Sequence, residues 1–227
     1  MHADAFAAEA DALEALRRAG MRVPEPLAHG TVDKCAYLLL EHLALDGAAD
    51  FAALGRMLAK AHRTSDARFG WHRDNYIGIT PQENGWCDDW SEFWLERRLR
   101  PQVELAKRNG FRLALPPLHL LEGHKPPPAL VHGDLWSGNV GFTVLGPVVF
   151  DPAVYYGDRE ADLAMTELFG GFPSAFYEAY SEAWPLASGY ERRKPLYNLY
   201  HLLNHLNLFG SGYLGQVKAT LGLLALR

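Results

Sequence analysis

The stretch Val131-His-Gly-Asp-Leu-Trp-Ser-Gly-Asn-Val140, followed by Gly146-Pro-Val-Val-Phe-Asp151, decides how this chain is read. Asp134 and Asn139 stand five residues apart across a loop too rich in glycine to be a helix. Asp151 closes an apolar run just beyond a hairpin that begins at Asn139. A hairpin brings its two ends together, so Asn139 and Asp151 are expected to face one site from adjacent strands. An amide oxygen and a carboxylate are hard ligands suited to Mg²⁺, and they leave room for phosphates and water. Asp134 then lies across the site, placed to orient an attacking hydroxyl and accept its proton. HGDxxxxN with an Asp at a strand end twelve residues later matches the catalytic-loop arrangement of phosphoryl-transfer enzymes. That chemistry asks mainly for positioning and charge stabilisation.

Outward from this stretch, the patterning predicts an α+β protein with a helical main body. Residues 3–19 read as a helix, with Phe6, Ala10, Leu13 and Leu16 near helical spacing and Gly20 as its stop. Two strands follow, Leu27–Thr31 and Ala36–Glu41, joined by a turn at Val32-Asp33-Lys34. Residues 49–63 return to helical spacing through Phe51, Leu54, Met57, Leu58 and Ala61. Residues 70–86 show no clear periodicity and read as a structured loop. Residues 87–109 read as one long helix with Trp90, Phe93, Trp94 and Leu95 on its apolar side. From residue 159 onward the chain is helical, broken at Gly170-Gly171, Pro173 and the Trp184–Gly189 loop.

Composition narrows the class further. With 48% hydrophobic and 22% charged residues over 227 positions, the chain has the balance of an ordinary globular protein. A net charge of -5 argues against a nucleic-acid partner, since binding a phosphate backbone needs a field of Lys and Arg. The pairs Arg17-Arg18, Arg97-Arg98 and Arg192-Arg193 sit beside acidic residues and read as solvated helix faces. No apolar run reaches the roughly 18 residues of a membrane span. Cys35 and Cys87 form no metal pattern, so a reduced cytoplasmic setting is the expectation.

Longer segments make the reading specific. FAAEADAL at 6–13, DNYIGITPQENGW at 74–86, FWLERRLRPQ at 93–102, HGDLWSGNV at 132–140, FDPAVYYGDREADLAM at 150–165 and HLLNHLNLFGSGY at 201–213 together resemble the fructosamine/ketosamine kinases. These are relatives of the aminoglycoside and choline phosphotransferases. The resemblance implies a protein-kinase-like fold, with residues 1–43 as a truncated small N-lobe and 44–227 as a mostly helical C-lobe. It implies ATP and Mg²⁺ as cofactors, Asp134 as catalytic base, and Asn139 and Asp151 as metal ligands. It makes Glu41, His42 and Leu43 the hinge that meets adenine, and Glu9 the helix glutamate that normally pairs with an ATP-gripping lysine. Trp136 and His205 would line the sugar pocket. From the residues alone, Glu9 reads equally as a solvated helix position and His205 as a satisfied core histidine.

The implied substrate is a small-molecule or protein-bound ketosamine. An aminoglycoside or an amino alcohol such as choline is the alternative, and an acidic pocket would favour the aminoglycoside. In this family a glycine-rich strand pair and a lysine-bearing strand precede the first helix, whereas here no Lys precedes Lys34 and no Gly precedes Gly20. A late chain start is therefore the expectation, with a catalytically impaired binding protein as the competing one. The bare apolar edge of Leu38, Leu39 and Leu40 predicts a homodimer.

Overall fold

A computed structural model describes residues 3–117 and 119–226. Helix α1 (Ala3–Arg18) buries Ala5, Ala8, Ala12, Leu13 and Leu16 along one side. It ends where Gly20 turns to φ +90°, with Met21 N–H donating to Leu16 O and Gly20 N–H to Arg17 O. This is the paired glycine stop that satisfies the last carbonyls of a helix. Strands β1 (Pro26–Val32) and β2 (Cys35–Leu40) pair antiparallel, with Val32 opposite Cys35. Asp33 and Lys34 between them sit at φ 48° and 68°, the left-handed pair that a two-residue hairpin turn requires.

Helix α2 (Phe51–Ala61) starts on Asp50, whose side chain accepts from Ala53 N–H at 2.8 Å. It lies so close to α6 (Ser174–Ala183) that a Cβ on Gly55 would fall 2.3 Å from Phe176 O. Glycine there gives up helix propensity for approach. Among the described residues, four two-stranded antiparallel sheets punctuate the chain. β3 (Asn75–Ile77) pairs with β4 (Thr80–Gln82), β5 (Ala129–Val131) with β8 (Tyr155–Gly157), and β6 (Val140–Thr143) with β7 (Gly146–Val149). Helices α5 (Glu160–Leu168), α7 (Tyr190–Phe209) and α8 (Leu214–Ala225) complete the body. One continuous core runs from Leu13 and Leu16 of α1 through Leu54, Phe93, Trp94, Val131 and Tyr197 to Leu224. Among the described residues, no helix is long and apolar enough to cross a membrane.

Three expectations change. Residues 70–86 contain the β3–β4 hairpin; three-residue strands are too short for alternation to register. The helix expected over 87–109 is three segments, α3 (Trp90–Phe93), a π-helical turn (Trp94–Leu99) and α4 (Arg100–Arg108). The wider turn brings Arg98 inward, so the apolar side buries Arg98 and Leu99 rather than Leu95. Two of the arginine pairs are not wholly solvated: Arg98 is fully buried and Arg193 is buried against Glu160.

Candidate active site

The strand pairs set the site. Because β5 pairs with β8 and β6 with β7, the loop 132–139 and the segment 150–154 run past each other. Ala153 N–H donates to His132 O at 2.8 Å, and Phe150 N–H to Asn139 O at 3.0 Å. The crossing is so tight that a Cβ on Gly133, itself at φ +83°, would lie 2.1 Å from Ala153 O. Only glycine fits there, which explains the middle residue of His132-Gly133-Asp134.

The loop is held from below by Asp162 of α5. Its carboxylate accepts from His132 N–H (2.6 Å), from Gly133 N–H (2.8 Å) and from His62 Nε2 (3.1 Å), while His62 Nδ1 meets the Tyr180 hydroxyl at 2.8 Å. Burial pushes the Asp162 carboxyl up, but the hydrogen bond and charge of His62, His132 and the Gly133 N–H outweigh it and hold it below the usual range. Asp162 thus acts as a buried anion clamping two successive backbone amides.

Above this clamp, Asp134, Trp136, Asn139, Asp151, Glu9 and His205 line one cleft of about 310 Å³, with Gly78, Pro152, Asn204, Leu208 and Phe209 completing it. Asn139 directs its amide nitrogen at Asp134 O (2.9 Å) and more distantly at Asp134 Oδ2 (3.4 Å), which leaves its amide oxygen as an acceptor. Asp151 sits at φ 48°, a left-handed backbone that costs strain for a residue other than glycine. Burial and the charge of Asp151 push the carboxyls of both Glu9 and Asp134 up to about 7. The cleft therefore gathers three carboxyl groups and no Lys or Arg among its lining residues.

Aromatic rings make the outer wall. Trp136 is 36% exposed, and its ring covers Gly138 so closely that a Cβ there would come within 2.3 Å. Phe169 stands edge-on to Trp136 at 6.3 Å and packs on His205 at 4.6 Å, and His205 also meets Phe209 and Tyr213. His205 Nδ1 donates to His201 O at 2.9 Å, leaving Nε2 on the other side of the ring, and burial holds the imidazole neutral by lowering its pKa. His205 is thus both packed and a cleft residue.

Glu41, His42 and Leu43 are not brought into this cleft. They follow β2, where Glu41 N–H donates to Glu25 O at 2.8 Å, and Glu41 lines a separate hollow with Arg17 and Arg22. The connection then runs beside the β6–β7 hairpin, with Gly47 N–H donating to Phe142 O.

Sequence reasoning passed over a buried amide network beneath the cleft. Gln82 donates to Asn75 Oδ1 (2.8 Å) and Ala153 O (3.1 Å), Asn75 donates to Val154 O (2.8 Å), and the Tyr200 hydroxyl donates to Gln82 Oε1 (2.7 Å). Asn84 and Arg98 extend it at 2.8 and 2.7 Å. The DNYIGITPQENGW segment thereby grips the backbone just beyond Asp151. The spacing of three amide side chains within ten residues was the available signal. Near α5, Asp158 accepts from Tyr197 (2.6 Å) and Glu160 takes both arms of Arg193 (2.7 Å each). The YYGDRE segment thus ties α5 to α7.

A helix-rich body, small antiparallel sheets and an acidic cleft at a His-Gly-Asp loop define a kinase-like phosphotransferase fold. A choline/ethanolamine kinase family protein from Mesorhizobium loti shares that fold at TM-score 0.58 with 16% identity, covering 96% of this chain and 77% of that one. The chain belongs to the fructosamine kinase family, whose model matches residues 1–226. It is 49% identical over 227 residues to a "Probable ketoamine kinase" of Synechocystis sp., covering 95% of this chain and 77% of that one. It is 42% identical to the chloroplastic protein-ribulosamine 3-kinase of Arabidopsis thaliana, covering 92% and 68%. The crystal structure of a "Putative fructosamine-3-kinase" from Haemophilus somnus superposes at TM-score 0.92 with 30% identity, covering 98% and 80%.

Proposed function

We propose that this chain transfers the γ-phosphoryl group of ATP to a sugar hydroxyl of a ketosamine, the fructosamine or ribulosamine adduct of a free or protein-bound amine. The observation that carries the reading is the convergence of Asp134, Asn139 and Asp151 on one cleft, in a chain of the fructosamine kinase family. Asp134 takes the hydroxyl proton, the freed oxygen bonds to the γ-phosphorus, and the bond to the β-phosphate oxygen breaks to release ADP. A positioned base of this kind contributes about 10²- to 10⁴-fold.

Asn139 and Asp151 are the residues that would hold Mg²⁺. The donor set fits, being an amide oxygen and a carboxylate beside two carboxyls whose protonation is favoured by burial and by the charge of Asp151. When bound, Mg²⁺ would offset the charge of the phosphates and of these carboxylates. Glu41, His42 and Leu43 are assigned to adenine through their backbone groups, and Glu9 to the phosphate end of the cleft. Trp136 and His205 bind the adduct.

The lining also suits the substrate class. A ketosamine carries a secondary amine that is cationic near neutrality, and the cleft offers carboxylates and the face of Trp136 with no competing Lys or Arg. The same acidity would admit a polycationic aminoglycoside, which is the second reading. Release of ADP from Mg-ATP, followed with a lysine ketosamine, an aminoglycoside and choline, separates them. The highest kcat/KM is expected with the ketosamine; a higher value with either of the others would replace it.

A further inference from the structure

Close to Asp134, His201 of α7 presents a buried ring nitrogen. His201 is 3% exposed, and its Nδ1 lacks a hydrogen-bond partner among the described residues. That nitrogen lies 3.8 Å from Asp134 Oδ1. The separation is beyond a hydrogen bond yet small enough for a turn of the carboxylate to close. Buried polar atoms are almost always satisfied, and an orphan pays its full desolvation cost. Contacts of catalytic groups are often long without substrate and tighten in the reacting complex.

We propose that His201 is a positioning residue for Asp134, its Nδ1–H donating to Asp134 Oδ1 when the cleft is filled and so presenting Oδ2 to the substrate hydroxyl. The inference rests on the phosphotransfer reading above. The surroundings hold the imidazole ready. Its backbone carbonyl accepts from His205 Nδ1, its ring packs on Tyr200 at 5.2 Å, and the Tyr200 hydroxyl is tied to Gln82. Burial, with His205 nearby, lowers its pKa to about 3 and keeps it neutral. A neutral donor suits the task. It fixes the carboxylate without the fixed positive charge of a Lys or Arg, which would weaken Asp134 as a base. The two oxygens of Asp134 then have separate neighbours, His201 at Oδ1 and the Asn139 amide at Oδ2.

The test uses amides that imitate one ring nitrogen each. In His201→Asn the side-chain nitrogen falls near the Nδ1 position, whereas in His201→Gln it reaches towards Nε2; His201→Leu removes both. With Mg-ATP and a lysine ketosamine, the Gln and Leu variants are expected to lose roughly 10- to 100-fold in kcat with both KM values unchanged, the scale of a misplaced catalytic group. The Asn variant is expected to recover most of the rate. Equal activity of Asn and Gln, unchanged kcat in all three, or a loss confined to the ketosamine KM would overturn the proposal. Should a variant fail to fold, ¹⁵N NMR of the wild-type imidazoles decides. An Nδ1–H that shifts downfield on adding Mg-ADP and a ketosamine lacking the reactive hydroxyl is expected; an Nε2–H tautomer in the filled cleft would overturn it. Wild-type enzyme inactive on ketosamines would count against the functional reading instead, and the NMR result would still judge His201.

Discussion

Glu9 shows how much of the site's chemistry is charge crowding. On α1 it can be taken from the sequence as a solvated position, yet the fold carries it into the cleft that Asp134 lines, where burial and Asp151 push its carboxyl up to about 7. A carboxyl whose folded pKa is raised contributes stability that is fully present below its unfolded value, near 4, and that is lost as the pH climbs through about 7. The metal-free protein should therefore lose thermal stability between roughly pH 4 and pH 7. Glu9→Gln, which cannot ionise, should melt higher than wild type at pH 8 and nearly equally at roughly pH 4. Calorimetry at both pH values checks this, and a lower melting point for Glu9→Gln at pH 8 would refute it. Asp134, Asn139 and Asp151 were legible because their spacing implies a hairpin that gathers them. His201 was not, because its importance lies in a distance across 67 residues of chain that no local pattern encodes.

Elements were legible where periodicity had room to repeat. α1, α2 and the β1–β2 hairpin follow their patterns closely, with Asp33-Lys34 supplying the turn. The β3–β4 hairpin and the π-helical turn did not show, since three-residue strands and one widened turn leave no repeating signature. Both serve the site from behind, through Gln82 and Arg98. Gln82→Leu keeps a similar size but removes one hydrogen-bond partner each from Asn75 Oδ1, Ala153 O and the Tyr200 hydroxyl. It should cost about 1–3 kcal/mol in urea unfolding and lower activity by loosening the segment after Asp151. An unchanged stability would show the network to be dispensable. Gly55→Ala tests helix contact in the same way. Alanine improves helix propensity, but its Cβ would meet Phe176 O at 2.3 Å, so a net loss of about 1–3 kcal/mol is expected. A gain in stability would mean that α2 and α6 part easily.

Across the whole molecule, the helix that bears Glu9 is built into the common core rather than resting on it. Leu13 and Leu16 are fully buried in the cluster that continues to α7, and Trp71 Nε1 ties to Asp11 at 2.8 Å. Removing part of that packing should weaken the entire chain. Leu16→Ala should cost about 2–5 kcal/mol, with circular dichroism and tryptophan fluorescence melting together. An early transition confined to one signal would indicate that α1 unfolds separately. The α+β class and helical body were legible from element order. The packing of a short N-terminal helix against residues some 60 positions away was not, because burial of an alanine-rich face looks the same in sequence whatever covers it.

The most direct test is mass spectrometry of a lysine ribulosamine or fructosamine incubated with Mg-ATP and this 227-residue chain, beside Asp134→Asn. One phosphoryl group gained on the sugar with wild type, and a loss of about 10²- to 10⁴-fold in that product with the variant, is the expected result. Phosphorylated adduct formed equally well by Asp134→Asn would contradict the assignment of the base, and with it the chemistry assigned to the cleft.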